Sequence, residues 1–305
     1  MEGEEDKRKP SLAKLLKYGI DPNSLSFEDP GERRTLLCLA IEEAVQIDDY
    51  SKVTLLLESR ADPNRCSETG SFPLQIASKH GDVRLARQLL QAKADVNQQD
   101  SRLVSALHTA AHEDEPRLLQ LLLLHKANVN AVDQVGQPPV FFASSRDTVS
   151  ALLEAAADAL HLNKRGQSAL HLAAHNGAYE AVSYFTEREG LQHLIDLQDE
   201  RGRTPLHHAA AKGHQGVVSR LMDVGADATV RTSNGQTAMS LADAKDTDVA
   251  YYIYTRVTGG NRATWREMAQ NPIALTLAAV LGVACFVNRK LLWEFGWDLL
   301  GIYTR

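Results

Sequence analysis

The sequence predicts an all-α protein built from stacked pairs of antiparallel helices, in which each pair packs only against its neighbours. Two observations predict this class. A phrase of turn and helix recurs along most of the 305 residues, and a second phrase follows it at a steady offset. Repetition with a period of about 20–50 residues is the sequence signature of such repeat architectures.

The first phrase centres on an apolar anchor residue that follows a turn, as in GQSALHLAAHNG and GRTPLHHAAAKGH. The anchors are Leu74, Leu107, Val140, Leu170, Leu206 and Met239, spaced 33, 33, 30, 36 and 33 residues. An earlier, degenerate copy is anchored by Leu37. This spacing predicts one helix pair for each copy.

The second phrase joins a pair of leucines to a polar loop. Leu89-Leu90 leads to Asp95-Val96-Asn97, for example, and the same phrase begins at Leu56, Leu122 and Leu221. Leu15-Leu16 precedes a similar loop that ends at Asn23. The N-terminal region therefore contains the second half of a partial copy.

Elementary stereochemistry explains the residue types in the first phrase. Glycine opens most copies because the chain must turn sharply there, with φ > 0. Thr204-Pro205 begins a helix because proline at the first helical position loses no hydrogen bond. Pairs such as Ala209-Ala210 are small enough to let helices approach closely. A single copy cannot bury its apolar face, so stacking is required.

These phrases resemble the ankyrin repeat, and the copy from Gly202 to Ala228 departs from the family pattern at few positions. The resemblance covers residues 11–256, as a half-repeat and about seven repeats, after a charged tail at residues 1–10. It implies an all-α ankyrin-repeat solenoid of stacked antiparallel helix pairs with projecting β-turn loops. To this we add a C-terminal membrane-type helix, described below.

Two copies depart from the regular length. Three residues are missing between Val140 and Leu170, and Phe141-Phe142 replaces the usual histidine and alanine. We expect the helix pair through Leu152-Leu153 to form there with a shortened turn. Three residues are added before Leu206, and we expect a longer loop after Glu187.

Composition and charge exclude several classes of function. Apolar residues make up 44% of the chain and charged residues 24%, which is typical of a folded protein. A net charge of −6 gives no reason to expect nucleic-acid binding, which needs clustered Lys and Arg. The charged start predicts no secretory signal. The three cysteines lack metal or redox spacing, so we expect a reducing, cytosol-facing compartment.

The eleven histidines do not indicate an enzyme. His108, His171 and His207 directly follow an anchor leucine, and the resemblance implies a structural hydrogen bond between adjacent repeats for each. His108 and His112 could share a helix face, but the Glu of a zinc-protease phrase is absent. No phosphate loop, nucleophile elbow or kinase phrase occurs. We therefore predict no catalytic residue, no metal and no cofactor.

The resemblance implies that the turns and the first helix of each pair line a groove for another protein. Residues at the turn tips have no expected packing role, so their side chains can be suited to binding a partner. Together with residues at the ends of the inner helices, these residues carry side chains of both charges, with a slight surplus of Arg and Lys. The candidate partner-binding residues are Lys79, Gln99, Asp100, Arg102, Glu113, Asp133, Gln134, Lys164, Arg165, Asn176, Asp199, Glu200, Arg201, Lys212, Arg231 and Asn234.

The repeat pattern stops after residue 256, and the composition changes. A linker at residues 257–271 precedes an uncharged run at 272–287 and an aromatic tail at 288–305. As a helix the run is about 24 Å long, somewhat short for a bilayer core of about 30 Å. Aromatic residues beside it suit a membrane boundary. The predicted membrane residues are Ile273, Leu275, Leu277, Val280, Leu281, Val283, Phe286, Val287, Trp293 and Trp297.

Three hypotheses follow for the whole chain. The first is a non-enzymatic adaptor that faces the cytosol and is tethered by residues 272–287, which resembles a tail-anchored protein of the mitochondrial outer membrane. The second is a structural or assembly subunit of a larger membrane complex. The third is a soluble, cytoplasmic ankyrin regulator in which residues 272–287 form a capping helix.

Overall fold

A computed structural model of the chain describes residues 12–24, 34–67, 70–242 and 247–259. The chain divides into two compact units. Unit 1 runs to Ala143 and includes Asp147–Asp158; unit 2 comprises Ser144–Arg146 and the residues from Ala159 onward. In the described ranges the secondary structure is helical, apart from isolated β-bridges, which include the one between Gln99 and Ser105 and the one that involves Thr35.

Each helix is either the first, inner member or the second, outer member of a pair. They are α1 (Leu12–Lys17), α2 (Leu36–Ile47), α3 (Ser51–Glu58), α4 (Pro73–Lys79), α5 (Val83–Gln91), α6 (Ala106–His112), α7 (Pro116–Leu124), α8 (Arg146–Glu154), α9 (Ala169–Asn176), α10 (Tyr179–Glu187), α11 (Pro205–Lys212), α12 (Gln215–Asp223), α13 (Ala238–Leu241) and α14 (Thr247–Thr258).

Like members of successive pairs pack against each other. In unit 1 the inner helices α2, α4 and α6 stack in order, and the outer helix α5 packs against α7. In unit 2 the inner helices α9, α11 and α13 stack, as do the outer helices α10, α12 and α14. The expected all-α architecture of repeated helix pairs is therefore confirmed.

The anchors and alanine pairs form the core of each unit. Leu107 and Leu206 are buried, as are Ala110, Ala209 and Ala210. Burying a leucine side chain contributes about 1.5–3 kcal/mol. The alanines contribute less area, but their small size allows inner helices to pack closely enough to bury the anchors.

The prediction of a helix pair between Val140 and Leu170 is wrong for the first, inner helix of that pair. A 3-10 turn at Pro139–Phe141 replaces the inner α-helix, whereas the outer helix α8 forms. Three missing residues leave too short a segment before Arg146 for two α-helical turns. Pro138 also occupies the N-cap position, where Ser168 and Thr204 supply a hydroxyl in later copies.

The longer loop predicted after Glu187 is confirmed, since α10 ends at that residue. The added residues contain a 3-10 turn at Gln192–Leu194. Leu194 and Ile195 are buried, so this loop adds to the core of unit 2.

Asparagines of the second phrase tie the loops of unit 1 together. The Oδ1 atoms of Asn64 and Asn97 accept hydrogen bonds from the backbone N–H groups of Asp95 and Asn128, at 2.6 and 2.7 Å. Their Nδ2 groups donate to the Lys93 and Lys126 carbonyls at 3.4 Å. Each asparagine therefore bonds to the next loop and to the end of the next outer helix.

The asparagine pattern changes in unit 2. Leu160 occupies one of the positions and has no side-chain oxygen. Asp196 occupies the next, and its Oδ1 accepts a hydrogen bond from Asp227 N at 2.9 Å. Burial raises the pKa of Asp196, the Asp227 N–H lowers it, and the nearby Asp227 carboxylate raises it again.

Helix α14 continues to Thr258, and the predicted membrane run and aromatic tail lie outside the described residues. Among the helices in the described ranges, none combines the length and apolar character needed to span a bilayer.

The predicted left-handed turn glycines are confirmed, with φ near 70° at Gly166 and Gly202. Leu103 occupies the same position in its copy and has φ 61°. A residue with a Cβ in this conformation carries a strain of about 1–2 kcal/mol that glycine avoids.

We expect Leu103→Gly to raise the free energy of unfolding by about 1 kcal/mol, because it relieves this strain at a side chain that is 44% exposed. Urea denaturation would measure the change. Leu103→Ala is the control, since it removes the leucine but keeps a Cβ. Equal stabilisation by both variants would attribute the effect to the exposed leucine and not to the backbone.

Candidate partner-binding site

Each turn tip is closed by a side-chain oxygen at its first residue. Asp100 Oδ1 accepts hydrogen bonds from Arg102 N and Val104 N, both at 2.8 Å. Asp199 Oδ1 does the same for Arg201 N and Arg203 N at 2.9 Å. Short polar side chains at this position favour such turns. The tips therefore have one repeated conformation.

Neighbouring tips within a unit are joined by backbone hydrogen bonds. In unit 1, Gln134 N donates to Arg102 O at 3.0 Å. In unit 2, Glu200 N donates to the Arg165 carbonyl at 3.1 Å, and Ser233 N donates to Arg201 O at 3.0 Å. Side chains at equivalent positions are thereby set out in rows.

The histidines that follow the anchors Leu107, Leu170 and Leu206 link their helices to the next turn, as predicted. Nε2 of His108 lies 3.1 Å from the Gln137 carbonyl, and Nε2 of His171 lies 3.1 Å from the Arg203 carbonyl. His207 repeats the contact with Gln236 O at 3.3 Å.

The geometry assigns the tautomer of these rings. Ser168 N lies 3.1 Å from Nδ1 of His171 and can only donate, so Nδ1 is the acceptor and Nε2 carries the proton. Burial, followed by the charge of His208, lowers the pKa of His171 to about 4. Burial also lowers the pKa of His108 and of His207. The neutral ring is the form that fits the folded protein.

The expectation that every tip residue is free of a structural role is wrong for six of the candidates, one of which is Arg231, whose Nη1 donates to Gly235 O at 2.8 Å. Asp100, Asp133 and Asp199 close their own turns, and Asp199 is only 8% exposed. Gln99 donates to the Leu103 and Val132 carbonyls, and Gln134 donates to Ser101 O. Their polar groups are used because a turn tip needs internal acceptors and donors to hold its shape.

Six candidates of unit 1 line one cleft of about 810 Å³ beside α4 and α6. Its rim carries charges of both signs, and the members from the candidate set are Lys79, Asp100, Arg102, Glu113, Asp133 and Gln134. Asp100 lies within 3.8 Å of Arg102, so part of the charge is paired internally. We call this space the inner cleft.

The sequence reasoning missed the apolar floor of the inner cleft. Ile76, Val104, Val135 and Phe142 line it together with His112. The Phe142 ring lies 5.9 Å from that of His108, edge to face. Phe142 is the residue in the sequence that could have indicated this apolar floor, because it places a bulky ring in the copy that lacks three residues.

The candidates of unit 2 lie on three successive turns and at the ends of two inner helices. Except for the buried Asp199, all are exposed: Lys164, Arg165, Asn176, Glu200, Arg201, Lys212, Arg231 and Asn234. The turns that carry them are bonded in sequence, so Arg165 and Arg201 occupy equivalent positions in one row.

A buried polar network lies beneath these turns. His208 Nε2 lies 3.0 Å from Asp199 Oδ2, and Gln167 Nε2 lies 3.4 Å from the same oxygen. The His171 and His175 rings lie 5.6 and 5.7 Å from His208. Burial raises the pKa of the Asp199 carboxyl, but hydrogen bonds from Arg203 N–H and His208 outweigh it and leave the pKa lowered.

Sequence comparison identifies the family. A family model described as ankyrin repeats, in three copies, matches residues 5–100, 41–133, 107–192 and 187–260. The chain belongs to the ankyrin-repeat family. The repeated turn, the inner histidine and the paired helices described above are therefore those of ankyrin repeats.

Curated relatives match only part of this ankyrin-repeat chain. NF-kappa-B inhibitor alpha of Sus scrofa is 37% identical over 84 residues, 27% of this chain and 27% of that protein. Diacylglycerol kinase zeta of Rattus norvegicus is 30% identical over 106 residues, 34% of this chain but only 11% of the kinase. The match thus covers well under two thirds of either relative.

Solved structures share the fold. A chain from the complex of a predatory endopeptidase of Bdellovibrio bacteriovorus with its immunity protein matches with a TM-score of 0.51 and 27% identity, over 60% of this chain and 97% of that chain. The ankyrin repeat domain of Bcl-3 matches with a TM-score of 0.53 and 23% identity, over 70% and 96%.

The depressed pKa of His171 predicts acid sensitivity. The folded pKa is about 4, whereas the ordinary value is 6.5, so the stability from the neutral ring is complete above about pH 7. It is lost as pH falls from 6.5 towards 4, by about 1–2 kcal/mol between pH 7 and pH 5. Denaturant unfolding at the two pH values should therefore show a smaller acid loss in His171→Asn than in the wild type.

The same variant should be about 1–3 kcal/mol less stable at pH 7, because it loses the bond to the Arg203 carbonyl. His125→Asn, at an exposed residue after α7, controls for the removal of an imidazole. An unchanged acid loss in His171→Asn would refute the assignment of the effect to His171.

Proposed function

We propose that this protein is a non-enzymatic scaffold that binds another protein along its turn tips and the adjacent ends of its inner helices. One observation carries the proposal: exposed side chains stand in rows on a frame whose own polar groups are bonded internally. Side chains such as Arg102, Glu113 and Arg201 are thus displayed without a role in closing the turns.

A rigid frame favours binding for a physical reason. Association loses free energy when loops must become ordered, and a preformed surface avoids part of that loss. The Asp100 and Asp199 turns and the histidine bridges hold the tips before any partner arrives. The inner cleft adds an apolar floor that a partner side chain can occupy.

A photo-crosslinking residue at Lys79 or Glu113, on the rim of the inner cleft, should form discrete adducts with a partner protein in cells that express the full chain. The same residue at Leu124, which is 81% exposed on the outer helix α7, is the control. Adducts that form only from Leu124 would place the binding surface on the outer helices and contradict the proposal.

We further propose that residues 272–287 tether this scaffold to a membrane. The support is the uncharged run itself, with aromatic residues following it. A structural or assembly subunit of a membrane complex would use the same run. The similarity to NF-kappa-B inhibitor alpha favours a second candidate, a regulator that binds its partner without a membrane.

The double substitution Leu277→Asp with Leu281→Asp in the full chain separates these candidates. A charged side chain at the centre of a span costs about 2.5–3.5 kcal/mol. The tethered wild type should therefore resist alkaline extraction, and the double variant should be extracted. The double variant with valine at both positions is the matched control. Extraction of the wild type would contradict the tether and favour the soluble regulator.

A further inference from the structure

The turn surface of unit 2 carries an excess of positive charge. Its exposed cations are Lys164, Arg165, Arg201, Lys212 and Arg231, and Arg203 is half-buried beside them. Two carboxylates lie on the tips of these turns, Asp199 and Glu200, whereas Asp196 and Asp227 are exposed on the loops that precede the tips. Asp199 is buried, with both oxygens bonded to backbone N–H groups and His208. Glu200 therefore remains as the exposed acid on these turns.

Four of these cations have no counterion in the described part of the chain. The guanidinium groups of Arg165, Arg201 and Arg203 and the ammonium of Lys212 form no ion pair there. Cations on the outer helices of unit 2 differ, since Arg220 pairs with Glu187 at 3.1 Å. Unneutralised charge is thus concentrated on the turn side.

The positive charge on the turn side also affects the pKa values of His175 and His208, which lie beneath the turns. Burial lowers the pKa of His175, and Lys212 and Arg203 lower it further. Burial also lowers the pKa of His208; the bond to Asp199 opposes this, and Arg203 and Arg201 add to the lowering. Cations from one turn, Arg201 and Arg203, and Lys212 from the end of α11 therefore act on one region.

Resting on the scaffold function proposed above, we propose that the unit 2 turn surface binds an extended acidic segment of the partner protein, with carboxylates about three residues apart. Packed helices lie about 8–10 Å apart, so Arg165 and Arg201, in adjacent bonded turns, repeat at about that interval. A polyproline-type segment rises about 3.1 Å per residue and repeats every third residue, which brings its carboxylates to successive turns.

The mixed charges of the inner cleft do not offer this match, because Arg102 lies near Asp100 and Glu113 stands on the same rim. In this proposal the two units bind different parts of the partner: unit 1 binds an apolar side chain, and unit 2 binds acidic side chains. Charge complementarity of this kind selects partners and accelerates their association.

The test uses the full-length protein and a fluorescent peptide of repeated Glu-Pro-Pro, with the Lys-Pro-Pro peptide as the control ligand. The wild type should bind the acidic peptide, more weakly as salt rises, and should not bind the basic one. Arg165→Glu with Arg201→Glu should weaken binding about tenfold or more, since two attractive contacts become repulsive. Both turns keep their backbone bonds in this variant.

The matched variant is Arg84→Glu with Arg117→Glu, which changes the net charge equally at exposed residues of the outer helices of unit 1. It should bind the acidic peptide like the wild type. Arg165→Gln with Arg201→Gln should give an intermediate loss, which separates lost charge from a fold defect. Equal weakening by both Glu pairs, or no binding of the acidic peptide by the wild type, overturns the proposal.

Two further ligands test other anionic partners. Tighter binding of an oligothymidylate, or of vesicles rich in phosphatidylserine, than of the peptide also overturns it. These failures are distinguishable from failure of the scaffold function, because crosslinking from Lys79 and Glu113 reports on partner capture in unit 1. If crosslinked adducts form but the acidic peptide does not bind, the scaffold function is retained and only the proposed binding of an acidic segment is refuted.

Discussion

The repeat frame depends on one polar contact, the imidazole that joins each of the inner helices α6, α9 and α11 to the next turn. The His171 ring accepts from Ser168 N through Nδ1 and faces the Arg203 carbonyl through Nε2. One buried ring thus satisfies a helix N-terminus and a turn of the next repeat. An unpaired backbone group in that place would cost about 1–3 kcal/mol, so the contact fixes the register of one repeat on the next.

This register is what makes a binding surface available. Because the turns are closed by Asp, Asn or Thr oxygens and bonded to one another, exposed tip residues such as Arg102 and Arg201 need not support the fold. The irregular copy shows the consequence of altering the frame. Where the inner helix shrinks to Pro139–Phe141, Phe142 is available to line the inner cleft. A local loss of regular structure thus produces an apolar site.

Much of the fold could be predicted from residues alone. Leu107, Leu170 and Leu206 marked the core because anchors recur at the repeat period, and the added length after Glu187 marked a loop. The candidate site was less predictable. Gln99, Asp133 and Asp199 were expected to be free because tips are exposed on average, yet each bonds to backbone groups in the turns. The position of a residue in the sequence does not reveal which of its polar atoms form hydrogen bonds within the turns.

The sequence by itself determined the repeat class, because periodic Gly, Leu and Ala positions specify turns, anchors and close packing locally. The resemblance to ankyrin repeats also implied the role of His108, His171 and His207, and the structure confirms it. Only the tertiary structure decided which charges remain unpaired. Asp100 lies near Arg102, whereas Arg165, Arg201 and Lys212 face no carboxylate within hydrogen-bond reach in the described ranges. Pairing depends on distances between repeats, which the order of residues along the chain does not contain.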